Sequence, residues 1–96
     1  EPRLTWERIV AGLERLKGCP WEDFSQRYGD WGRDAALWLG RQRGRYTLGE
    51  LGQLAGGLDY AAVGQAVSRF GKRLQKGGEL QRQVKKLEQR LLEVEM

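Results

Sequence analysis

The sequence predicts an all-α protein, a bundle of five or six helices that contains a helix-turn-helix. Three observations lead there. Apolar residues recur at three- and four-residue spacing along nearly the whole chain, no stretch alternates apolar and polar long enough for a strand, and capping residues and glycines fall at intervals that suit short helices. With 96 residues, 40% hydrophobic content and four Trp, the chain supports one domain with a modest core. Residues 1–45 supply supporting helices, 46–76 the helix-turn-helix and 79–95 a C-terminal helix.

Thr5 can cap a first helix whose apolar face is Trp6, Ile9, Val10, Leu13 and Leu16, and Gly18 can end it. Pro20 suits the start of a second, short helix, in which Trp21, Phe24 and Tyr28 repeat at helical spacing and Gly29 closes the C-terminus. A third begins at about Trp31, with Ala35, Ala36, Trp38 and Leu39 on its apolar side and Gly44 at its end; Arg33, Arg41 and Arg43 emerge from it. Trp6, Trp21 and Trp38 read as core residues. Tyr46 and Tyr60 are open between packing and stacking on bases.

The stretch from Thr47 to Phe70 carries the strongest signal. Thr47 offers a hydroxyl N-cap and Glu50, three residues on, completes a capping box. Leu48, Leu51 and Leu54 keep helical spacing before Gly56 and Gly57, which permit the positive φ of a sharp turn. Asp59 then caps a longer helix. Its Val63, Val67, Phe70 and Leu74 draw one apolar stripe, while Tyr60, Ala61, Gly64, Gln65, Ser68 and Arg69 are small or polar and fit close approach to base edges. Two helices joined in this way form the helix-turn-helix pattern. After Gly77-Gly78, Leu80, Val84, Leu87, Leu91 and Val94 give two heptads over Glu79 to Glu95. That is short for a coiled-coil dimer, so the expectation is packing within a monomer.

Charge is concentrated around the motif. Arg41, Arg43, Arg45, Arg69, Lys72, Arg73 and Lys76 face only Glu50 and Asp59 between positions 41 and 76, whereas the first 30 residues carry five cations and six acids. A phosphate backbone favours that arrangement. The composition argues against catalysis: there is no His and one Cys, so Ser-His and Cys-His nucleophile systems and the usual zinc sites are excluded. Glu22 and Asp23 point different ways, Glu88, Glu93 and Glu95 sit among Lys85, Lys86 and Arg90 as surface charges, and the glycine pairs lack a phosphate-loop lysine. No cofactor, metal or small-molecule substrate is expected. Cys19 cannot form an internal disulfide, and neither a signal peptide nor an apolar run of about 20 residues is present, which suits a cytoplasmic protein without a membrane partner. The start at Glu1 is expected of a fragment of a longer protein.

The span from Ile9 to about Glu93 resembles the C-terminal, Trp-repressor-like DNA-binding domain of the bacterial replication initiator DnaA. Leu51-Gly52, Gly56-Gly57 and Leu58-Asp59-Tyr60-Ala61-Ala62-Val63 stand where that family has its Ile/Leu-Gly pair, Gly-Gly turn and Arg-Asp-His-Thr-Thr-Val. The resemblance implies Asp59, Tyr60 and Ala61 at the major groove and Arg33 with its preceding loop near the backbone. Tyr60 for His, Leu58 for Arg and the Ala61-Ala62 pair for two Thr remove the contacts that read a DnaA box. The wording Trp38-Leu39, Tyr46 to Gly52 and Asp59 to Phe70 is similar to the C-terminal helical extension of REP-associated tyrosine transposases, whose separate HUH catalytic domain has no counterpart here.

The expected function is therefore sequence-specific binding of double-stranded DNA, as a module of a transposase-related or replication-initiator-like bacterial protein concerned with DNA recombination. The candidate contacts are Arg33, Arg41, Arg43, Arg45, Thr47, Asp59, Tyr60, Ala61, Gln65, Ser68, Arg69 and Lys72. The alternative is a protein-interaction or dimerisation module that uses the C-terminal helix.

Overall fold

Helix starts in this chain follow from side chains that accept otherwise unpaired N–H groups. In the computed structural model, which describes residues 3–93, Thr5 accepts the Arg8 N–H at 3.3 Å and opens α1 (Trp6–Lys17), which Gly18 ends at φ 74°. α2 (Trp21–Phe24) follows Pro20, α3 spans Gly32–Arg43, α4 Leu48–Leu54, α5 Tyr60–Gln75 and α6 Glu79–Glu93. All regular structure among the described residues is helical. None of these helices is long and apolar enough to cross a membrane.

α3 is the centre of the packing. Ala35, Ala36, Leu37 and Leu39 are fully buried, and α1, α4 and α5 all lie against this helix. Small residues let the neighbours come close: a β-carbon at Gly40 would lie 2.6 Å from Leu51 Cδ2. α6 runs back along α1, with Arg8 Nη2 donating to the Leu91 carbonyl at 2.5 Å and Gly12 facing the Leu87 and Leu91 side chains. Its apolar stripe is spent inside the chain, because Val84, Leu87 and Leu91 are buried and Leu80 is half-buried against the same core. Val94 and Glu95, predicted to extend that helix, lie outside the described residues.

The aromatic residues fill the end of the bundle near α2. Trp6 is buried and meets Trp21 edge to face at 5.5 Å, and Trp21 meets Phe24 in the same way at 5.4 Å. Edge-to-face contacts place the positive ring edge on the negative face. Trp38 packs likewise on Phe70 at 6.1 Å and joins α3 to α5.

Two local expectations need correction. The second helix stops at Phe24, and Tyr28 is fully exposed beyond it. The chain leaves the helix through four-residue turns, Arg27 N–H to Phe24 O and Asp30 N–H to Arg27 O, so the three-four repeat of Trp21, Phe24 and Tyr28 does not mark one face. Leu16, expected on the core face of α1, is 39% exposed at the rim of a groove between α1 and α6. Gly44 ends α3 as expected, at φ −98°, and the next residue, Arg45, takes a left-handed φ of 61°. Glycine is needed at 44 for space: a β-carbon there would lie 2.7 Å from the Tyr46 ring.

Candidate nucleic-acid interface

The turn between α4 and α5 is built on a buried glycine. Thr47 accepts the Glu50 N–H at 3.0 Å while Glu50 accepts the Thr47 N–H at 2.8 Å, so α4 starts with a complete capping box. At the other end, the Gly52 carbonyl accepts the N–H groups of Gly57 at 2.8 Å and Leu58 at 3.0 Å. Gly56 and Gly57 both take positive φ, 112° and 99°, which lets the chain fold back onto Gly52. The approach is so close that a β-carbon on Gly52 would overlap the Leu58 carbonyl. Asp59 then accepts the Ala62 N–H at 2.8 Å and starts α5.

α5 separates its residues cleanly by face. Val63, Ala66, Phe70 and Leu74 are buried, whereas Ala61, Gln65, Ser68 and Lys72, spaced four, three and four, are exposed along one outward line. Arg69 and Lys76 flank that line, and α5 holds no acidic residue from Tyr60 to Gln75. Tyr60 is 68% exposed at the helix start. A small, polar and cationic face of this kind can approach a groove edge and an anionic backbone without burying an unpaired group.

The remaining candidates fall at several places. Asp59 and Thr47 are exposed, with Thr47 Oγ1 and Asp59 Oδ1 accepting in caps. Arg41 is exposed on the last turn of α3 and donates to the Tyr46 carbonyl at 2.9 Å. Arg43 is paired through Nε with Glu88 of α6 at 2.5 Å. Arg45 is exposed in the loop before α4. Arg33 is half-buried in the first turn of α3. Tyr46 has a structural role, since its hydroxyl accepts the Trp6 N–H at 2.7 Å and Arg3 lies over its ring at 4.4 Å.

The loop that leads to Arg33 is held by a buried acid. The Asp30 side chain is only 6% exposed, receives Lys17 Nζ at 2.9 Å and accepts the Gly32 N–H at 2.7 Å. Burial pushes its carboxyl up, but the Lys17 hydrogen bond, the Gly32 N–H and the charges of Lys17 and Arg27 outweigh this and hold it below the usual range. Lys17 in turn lies 4.1 Å from the centre of the Trp31 ring.

Sequence reasoning missed Asp34. This residue of the first turn of α3 lies 3.5 Å from Arg69 Nη2, an ion pair between elements that no local spacing connects. Arg73 and Lys76, counted in the sequence among the cations around the motif but not among the candidate contacts, are exposed at the C-terminal end of α5. No protein-family model, curated protein or solved structure matches the chain, so the case for this face rests on its own residues and geometry.

Proposed function

We propose that the chain is a sequence-reading module for double-stranded DNA, in which α4 and α5 act as a helix-turn-helix of the Trp-repressor and DnaA C-terminal type. Its parent is a transposase-related or replication-initiator-like bacterial protein. The observation that carries the reading is the outward line Ala61, Gln65, Ser68 and Lys72 on a capped helix without acids, set behind a glycine turn. α5 is the recognition helix, and its first turns present Tyr60, Ala61 and Gln65 to base edges. Lys72, Arg41, Arg45 and Arg33 supply phosphate contacts that set register and carry no sequence information.

The rival use of the chain, dimerisation through α6, would need the apolar stripe that Val84, Leu87 and Leu91 bury against α1 and α5. Competition between a selected duplex and a scrambled one separates the two functions. Gln65→Ala and Tyr60→Ala are expected to reduce discrimination by about 1–3 kcal/mol per lost base contact. Equal losses on both duplexes would reduce the interaction to electrostatic attraction, and salt-tolerant self-association without duplex affinity would favour the rival.

A further inference from the structure

Arg69 reaches outward from α5, and its Nη2 lies 3.5 Å from Oδ2 of Asp34. The pair is unequal. Asp34 belongs to a helix fixed by the buried Ala35, Ala36, Leu37 and Leu39, and an acid in the first turn is favoured by the helix dipole. Its side chain is 23% exposed, whereas that of Arg69 is 68% exposed. Asp34 is therefore the anchor and Arg69 the arm. An exposed ion pair of this kind adds little to folding, so its effect is chiefly on direction.

A guanidinium has five N–H donors in one plane, and a carboxylate on one side leaves the other donors facing away from it. In the major groove, guanine presents N7 and O6 as adjacent acceptors that match such a fork. Asp34 also offsets the charge of Arg69 and repels phosphate, which disfavours a backbone contact at this point. We infer that Asp34 is a positioning residue that holds Arg69 for bidentate reading of a guanine in the target site. This rests on the DNA-binding reading above and names the base that the helix selects at one position.

The test begins with selection of duplexes from a randomised pool by the parent chain, followed by affinity measurements on all four base pairs at each selected position. One position should require G·C, and Arg69→Ala should abolish that preference and no other. Asp34→Ala should lower the same preference by about tenfold, with only the small drop in melting temperature that loss of the dipole contact brings, and should raise the salt slope on scrambled duplex by about one unit. Asp34→Glu, which keeps a carboxylate, should restore most of the preference.

An unchanged base preference in Asp34→Ala would overturn the inference, as would a uniform loss on all duplexes with a lowered melting temperature. Enrichment of no duplex by the parent chain would remove the DNA-binding reading itself and this inference with it. Enrichment without a guanine position sensitive to Arg69 would remove only the inference.

Discussion

The Tyr46 hydroxyl accepts the backbone N–H of Trp6 at 2.7 Å, so the loop before α4 ties down the first residue of α1. The N–H groups of a first helical turn have no partner within the helix, and here a side chain from far along the sequence supplies one. Tyr46→Phe keeps the ring against Gly44 and Arg3 and removes only the acceptor. The variant should lose about 1–3 kcal/mol, the cost of an unpaired polar group in a partly buried place, measured by urea denaturation.

Two glycines of α4 should respond in opposite directions to the same change. Gly49 is exposed with open space around it, so Gly49→Ala should stabilise by about 0.5–1 kcal/mol through helix propensity. Gly52→Ala places a β-carbon on the Leu58 carbonyl and should destabilise strongly. Gly56→Val and Gly57→Val, both at positive φ, should each cost about 1–2 kcal/mol. Thermal melting of the four variants checks the order.

Acid should weaken the clasp between Asp30 and Lys17. The folded-state pKa of Asp30 is depressed, so its contribution is fully present above the unfolded value, near 3.8, and is lost as pH falls through the lower folded value. The stability difference between the parent and Asp30→Asn should therefore be constant from neutral pH to about pH 5 and shrink on further acidification. Melting temperatures of both proteins between pH 7 and pH 2.5, roughly the window of carboxylate titration, give the comparison.

The cations of the candidate interface should differ in their effect on DNA affinity. Lys72→Ala and Arg41→Ala should weaken binding to all duplexes and flatten the salt slope by about one unit each. Arg43→Ala should flatten it less, because Glu88, itself only 15% exposed, already meets that charge. Fluorescence anisotropy at a series of salt concentrations measures the slopes.

Local chemistry made much of this fold legible. The Thr47–Glu50 capping box, the Asp59 cap and the Gly56-Gly57 turn each depend on residues within a few positions, and the buried stripe of α5 depends on one helical period. The same rule over-read Tyr28, because a three-four repeat also arises by chance across a turn. What the sequence withheld was contact between distant elements. Neither Tyr46 with Trp6, Arg43 with Glu88, nor Asp34 with Arg69 has a spacing that marks it, since each depends on how the helices cross.

The hydrogen bond from Arg8 to the Leu91 carbonyl brings opposite ends of the described chain to one side of the molecule. The start of α1 and the end of α6 are neighbours. Such a unit can be grafted as a pendant lobe into a surface loop of a host polypeptide without stretching either junction. It also admits circular permutation: a short flexible linker could join the α6 and α1 ends, with new termini opened at Gly77-Gly78, where the link between α5 and α6 contributes no buried hydrophobic side chain.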